Sequence, residues 1–207
     1  MEKRWQFGSP DEGLMAALST QLHISPVLAQ VLANRGIADV RAGDHFLHNT
    51  LADMADPFLM KGMENAVIRL EQAITEKQRI VIYGDYDVDG ITSTSLVYSV
   101  LRDLGASPQF YIPERESEGY GLNEGALEQL SRQADLLITV DCGITANQEA
   151  ALCRELGMDF VITDHHECKS DLPEAVAVVD PHRKEQPEPI LEMAGVGVAF
   201  KLAAALH

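Results

Sequence analysis

Basic residues are scarce in this chain. Lysine and arginine number 16 against 32 aspartates and glutamates, a formal net charge of −16 over 207 residues. Nucleic acid is normally held by a basic face, so this balance argues against a simple electrostatic nucleic-acid binder. It leaves room for an enzyme that meets phosphates through metal ions and keeps its basic contacts elsewhere. Cysteine is also rare: Cys142, Cys153 and Cys168 are an odd number without paired spacing. They point to a reducing compartment rather than a disulfide framework. No apolar run approaches the ~20 residues that span a bilayer, and residues 1–8 are polar and charged, without a signal-peptide core. These absences predict a soluble, cytoplasmic protein with no membrane partner.

The residues present fall into two regions. Residues 1–78 read as a small helical N-terminal region. Ser25-Pro26 is a helix start and Arg35-Gly36 a stop, with Val27, Leu28, Val31 and Leu32 as an apolar stripe between them. Asp39 can cap a further short segment, and Met63, Val67, Leu70 and Ile74 share one helical face. His23, His45 and His48 are scattered and read as ordinary surface or core histidines. From residue 79 strands alternate with helices. Strands are predicted at 80–83, 109–112, 136–140, 160–163 and 176–179, and helices at 92–104, 124–132, 146–156 and 196–206, with a Pro- and Glu-rich loop over 180–192. Strand–helix units with short connections predict an α/β fold: a parallel sheet of about five strands with helices on both faces.

The chemistry gathers where strands end. After the first strand, GDYDVDG carries Asp85, Asp87 and Asp89. Three like charges in five residues repel one another, and a divalent cation among them relieves this; a solvated acidic turn is the plain alternative. Asp141 follows the third strand in VDCGI, and Asp164, His165 and His166 follow the fourth in TDHH. In open parallel sheets ligands bind beyond the carboxyl ends of the strands, so these residues are expected at one edge. Carboxylates with one or two imidazoles, and no thiolate at matching positions, suit Mn²⁺ or Mg²⁺ better than structural zinc. Asp180-Pro181, after the fifth strand, reads as a turn rather than a ligand.

Two further stretches point to phosphate. Thr92, Ser93 and Thr94 fall at the predicted start of a helix, where free N–H groups favour an anion, although plain N-capping explains them equally. Arg115 stands just past a strand end in PERESEGYGLN, able to grip phosphate or to pair with Glu114, Glu116 or Glu118. Tyr120 in the same loop can stack on a base or simply close the loop.

In order and spacing, GDYDVDG, VDCGI and TDHH resemble the DHH phosphoesterase superfamily. The helical lead-in, the P-x-R…GYGLN segment and the ending AGVGVAFKLA are similar to its branch of bacterial exonucleases that digest single-stranded DNA from 5′ to 3′. The resemblance runs from about Gly36 to the end. It implies that Asp87 and Asp89 are metal ligands, each favouring a different metal of a two-metal site. It makes Asp141 the bridging ligand and His165 the histidine ligand, and it places His166 against the scissile phosphate. Asp164 would orient the histidines, Asp85 would support the catalytic group, and Arg115 would contact substrate phosphate. Thr92, Thr94 and Tyr120 complete the expected phosphate-binding set. The implied activity is two-metal phosphodiester hydrolysis with Mn²⁺ or Mg²⁺, acting in DNA repair and recombination with repair or replication proteins as partners.

Relatives of this kind are longer. They carry a further aspartate ligand, a second catalytic-side domain of the DHHA1 type and an OB-fold. Residues 79–207 are accordingly expected to be an N-terminal catalytic lobe with an unfinished metal site, weakly active or inactive alone. Two other readings remain open: a phosphoesterase for cyclic dinucleotides, oligoribonucleotides or pyrophosphate, and a catalytically inactive replication or repair scaffold.

Overall fold

The computed structural model describes residues 11–116, 119, 121–169, 171–184, 186 and 193–207. Contacts divide the chain into two compact units, Met1–Met54 and Ala55–His207. In the first, α1 (Glu12–Gln21), α2 (Pro26–Asn34) and α3 (Val40–His48) are each opened by a side-chain cap, from Asp11, Ser25 and Asp39 respectively. Their small core is Leu18, Ala29 and Leu32. The stripe expected on α2 is rotated: Val27, Leu28 and Val31 are exposed, and Ala29 joins Leu32 inside.

The second unit begins earlier than residue 79, where the sequence pattern changes. Helix α4 (Met63–Thr75) already belongs to it, because Met63, Ala66, Val67, Leu70 and Ala73 are buried in the sheet's core. The remaining elements alternate: β1 (Ile80–Gly84), α5 (Val88–Asp103), β2 (Gln109–Tyr111), α6 (Glu124–Ser131), β3 (Leu136–Val140), α7 (Asn147–Glu155), β4 (Asp159–Thr163), β5 (Ala177–Val179) and α8 (Gly195–Ala205). All strand pairs are parallel, in the order β2-β1-β3-β4-β5.

The period-2 alternation of each strand splits the core between two faces. Ile80, Ile82, Leu136, Ile138 and Val161 pack with α4, α5 and α8. Val81, Tyr83, Leu137, Phe160 and Ile162 pack with α6 and α7. The sheet is therefore covered on both sides, and its central strands read as near-continuous apolar runs. Cys142 and Cys153 are buried and unpaired, and Cys168 is unpaired and half-buried. Among the described residues, no helix is long and apolar enough to cross a membrane.

At the amino end of the sheet, Arg79 and Asp135 tie the entries of β1 and β3. Arg79 donates from Nε to Asp135 Oδ2 at 3.0 Å, from Nη2 to Oδ1 at 2.6 Å, and from its backbone N–H to Oδ2 at 2.8 Å. These bonds, the guanidinium foremost, hold the Asp135 carboxyl down at about 2, against an ordinary 3.8. Between pH about 4 and about 2 the unfolded chain therefore binds more protons here than the folded one, and stability falls as pH falls through that window. Both side chains are well exposed, so the effect is modest. Asp135→Asn is expected to flatten the stability profile between pH about 4 and about 2 in urea melts; a loss as steep as that of the wild type would discount the clamp.

Candidate metal centre

The strand order reverses between β1 and β3, since β1 is followed in sequence by β2 on one side and β3 lies on the other. Loops leaving such a pair diverge to opposite sides and open a crevice at the carboxyl edge. Asp85 and Asp87 follow β1, and Asp141 follows β3, in register with it through Gly84↔Val140. Val140 pairs onward with Thr163 of β4, which carries Asp164, His165 and His166 past its end.

Helix α5 starts inside the acidic motif, four residues before the expected point. Asp87 is its N-cap, and Asp87 Oδ1 accepts the N–H groups of Asp89 at 2.8 Å and Gly90 at 2.9 Å. Gly90 permits the tight turn: a Cβ there would lie 2.4 Å from the backbone oxygen of Asp85. Asp85 points into the crevice and is buried. Burial raises its pKa, a bond from the Tyr86 N–H lowers it, and the nearby Asp87 charge raises it again; the balance is upward.

Asp141 is the most constrained of the acids. Its backbone sits in the left-handed region at φ 62°, where aspartate is one of the few side chains tolerated. It is 2% exposed, and its Oδ1 is buried without a hydrogen-bond partner. Burial, with the charges of Asp89 and Asp87 adding to it, pushes its carboxyl up to about 7.

The paired histidines are fixed from behind. The carboxylate of Asp164 is saturated: Oδ1 accepts from the His165 N–H at 2.7 Å and bonds His166 Nδ1 at 2.7 Å, and Oδ2 accepts from the Ile144 N–H at 2.9 Å. Burial raises Asp164, but the His166 and backbone bonds outweigh it and leave its pKa below the ordinary value. The same Asp164 bond pushes His166 up to about 9, so His166 is an imidazolium at neutral pH.

His165 faces the acids in a defined tautomer. Its Nδ1 lies 2.9 Å from the carbonyl oxygen of Met193, which can only accept, so Nδ1 carries the hydrogen. Nε2 then presents a lone pair 3.1 Å from Asp141 Oδ1 and 3.6 Å from Asp89 Oδ2. Asp141 Oδ1 has no assigned hydrogen-bond partner at this close approach. An imidazole nitrogen and two carboxylate oxygens converging in this way fit a cation held among them.

Ligand atoms of Asp85, Asp87 and Asp141 all lie within 4.8 Å of one another, and so do those of Asp141, His165 and His166. Asp141 is common to both groups. Asp85, expected in support, stands in the carboxylate trio. Asp89, expected as a metal ligand, accepts at 2.7 Å from the backbone N–H groups of Gly195 and Val196 at the start of α8. Sequence reasoning misses this helix start as part of the site, although the glycine pair in AGVGV is its signal. A Cβ on Gly195 would fall 2.3 Å from Asp141 Oδ1.

The phosphate-binding expectations divide. Thr92 and Thr94 are corrected: they lie in the second turn of α5, not at its start. The Thr92 hydroxyl donates to the carbonyl oxygens of Val88 and Asp89, and Thr94 is buried against Gly84. Arg115 is exposed, and its guanidinium carbon stands 5.3 Å from the centre of the Tyr86 ring, beside the acidic loop. Tyr120 lies outside the described residues. Asp180 is fully buried. Its Oδ1 accepts the His182 N–H at 2.7 Å, closing a turn, and burial pushes its carboxyl up to about 7.

Known proteins are similar to this chain in both sequence and fold. The chain is 48% identical over 204 residues to the single-stranded-DNA-specific exonuclease RecJ of Bacillus subtilis (strain 168), covering 98% of this chain and 26% of that protein. It superposes on RecJ from Thermus thermophilus solved in complex with Mn²⁺, with a TM-score of 0.75 and 31% identity, over 96% of this chain and 27% of that one. The Mg²⁺ complex of RecJ from the same organism gives a TM-score of 0.61 and 27% identity, over 96% and 24%. The chain thus spans about a quarter of the length of these relatives. Residues 79–207 match the DHH family, N-terminal domain. With the aspartates of β1 and β3 and the DHH triplet of β4 gathered on one sheet edge, the chain belongs to the DHH family.

Proposed function

We propose that this chain is the catalytic lobe of a metal-dependent exonuclease for single-stranded DNA. The observation that carries the reading is the convergence of ligand atoms on Asp141: those of Asp85 and Asp87 on one side and of His165 and His166 on the other all lie within 4.8 Å of it. The 48% identity to a protein named as a single-stranded-DNA-specific exonuclease supports the substrate. Oxygen donors with one imidazole suit Mn²⁺ or Mg²⁺. Held by these residues, two such ions would supply an acidified water and neutralise charge on the leaving oxygen.

In this reading Asp141 is shared between the two metal positions. Asp87 and Asp85 serve one side; His165 and Asp89 serve the other. Asp164 holds His165 and His166 in orientation from behind. His166 offers its imidazolium to a non-bridging oxygen of the scissile phosphate, where charge grows in the transition state. Arg115, resting on Tyr86, contacts a flanking phosphate. The catalytic lobe corresponds to the sheet-bearing unit Ala55–His207, which contains the family match at residues 79–207, and the helices earlier in the chain form the lead-in. The setting is the cytoplasm, in DNA repair and recombination.

Three outcomes follow. In calorimetric titration the chain binds Mn²⁺, and Asp141→Asn, which keeps shape and tolerates the left-handed backbone, weakens binding at least about tenfold, or about 1.4 kcal/mol, with the urea midpoint retained. Mn²⁺ affinity unchanged in this variant would refute the assignment. Gly195→Ala places its Cβ against Asp141 Oδ1. It should cost about 1–3 kcal/mol of stability and reduce Mn²⁺ affinity; a neutral effect on both would mean that α8 does not shape the centre. The protein containing this lobe, assayed with Mn²⁺, should degrade 5′-phosphorylated single-stranded DNA in preference to a cyclic dinucleotide. The reverse preference overturns the substrate.

A further inference from the structure

A second cavity adjoins the centre on the side away from the acidic loop. It holds about 260 Å³ between the starts of α6 and α7, with Leu122 and Ile144 as apolar walls, Gly143 and Ala146 as small ones, Glu149 at one side and His166 at its inner end. Among the described residues that line it, none is a lysine or arginine. Nothing in the metal centre uses this space.

We propose that the cavity is a subsite for the nucleoside attached to the scissile phosphate, an inference that rests on the phosphodiesterase reading above. His166 is the link: it lines the cavity and also shares a ligand cluster with Asp141 and His165. A phosphodiester held at that cluster sends one of its two substituents past His166 into the space. The lining chemistry selects which part of a nucleotide enters. The carboxylates of Asp164 and Glu149 line the space with no lysine or arginine among the described lining residues, which disfavours phosphate there. Asp164 is already engaged by the Ile144 and His165 N–H groups and by His166 Nδ1, and Glu149, in the first turn of α7, is the second carboxylate able to receive a donor.

An uncharged group with apolar faces and N–H donors meets these conditions, as the sugar and base of a nucleoside do. A base carrying an exocyclic amine, such as cytosine, pairs best with a carboxylate. The volume lies below the ~300–1,000 Å³ of drug-sized ligand sites, which fits one nucleoside and no second. Gly143 keeps the floor low at φ 111°, and a Cβ there would strike Thr139 Oγ1 at 2.8 Å.

The test is calorimetry on the Mn²⁺-loaded chain with dCMP and inorganic phosphate as probes. Thr145, on the rim and exposed, is replaced by tryptophan to fill the cavity from solvent without touching the core. A second variant, Glu149→Gln, keeps the volume and removes the charge. The wild type is expected to bind dCMP about tenfold tighter than phosphate, or about 1.4 kcal/mol. Thr145→Trp should erase that advantage, Glu149→Gln should reduce it, and phosphate affinity should stay unchanged in both. Equal affinities for dCMP and phosphate in the wild type, or an advantage that survives in Thr145→Trp, overturn the subsite alone. Failure of both Mn²⁺ and phosphate to bind the wild type overturns the metal reading and the subsite with it.

Discussion

Repulsion among like charges is the constraint on which this architecture turns. The carboxyl edge of the sheet collects Asp85, Asp87, Asp89, Asp141 and Asp164 around two histidines, and three of the five acids are nearly fully buried. A fold that only needed stability would neutralise or solvate them, since burying a charge costs several kcal/mol unless it is paired. Here each acid is treated differently. Asp164 is saturated by four donors and carries the ion pair with His166. Asp87 caps α5 and Asp89 is met by the start of α8. Of the five, Asp141 alone keeps a buried oxygen without a hydrogen-bond partner, 3.1 Å from His165 Nε2. The strain concentrates on one atom, and that atom is common to both clusters of ligand groups.

The backbone explains why it stays there. β3 ends in a left-handed residue, Asp141, followed by Gly143 at φ 111°, so the chain turns sharply enough to aim the carboxylate into the crevice. From the far side, α8 comes so close that only glycine fits at its first position. Met193, just before α8, fixes the tautomer of His165 through its carbonyl. Residues far apart in the chain thus set the direction of two lone pairs. Such strain at a left-handed non-glycine residue persists only where the surroundings over-determine it, which is a mark of functional loops.

The fold is largely legible in the sequence because its signals are local and repeated. Apolar runs such as residues 80–83 and 136–140, each followed by a helical period, announce a parallel sheet before any contact is known. Their acids then fall at one edge by topology alone. What stays hidden depends on distance or on small offsets. Hydrophobic spacing puts the start of α5 at residue 92, whereas Asp87 already supplies the cap, so the anion role expected of Thr92 and Thr94 vanishes with the shift. The partnership of Asp89 with Gly195 and Val196 spans more than a hundred residues, and no pattern in either segment names the other. The rotated face of α2 shows the same limit, since Ala29 carries too little hydrophobic signal to reveal which side is buried.

The charge balance gains a different meaning beside the geometry of the edge. With twice as many acidic as basic residues, the long-range field of the chain repels a polyanion instead of steering it in. Recognition at this edge has to come from short-range groups. His166 carries its positive charge because Asp164 is locked behind it, and Arg115 rests on the Tyr86 ring beside the acids rather than in a basic patch. Adding divalent cations between His165 and the aspartates reverses the local sign without changing the far field. On the proposed reading, phosphate would be attracted where such cations, His166 and Arg115 act, and the acidic surface would discourage other poses. On that reading, the acidity that argues against nucleic-acid binding in the composition would instead confine phosphate to the metal centre.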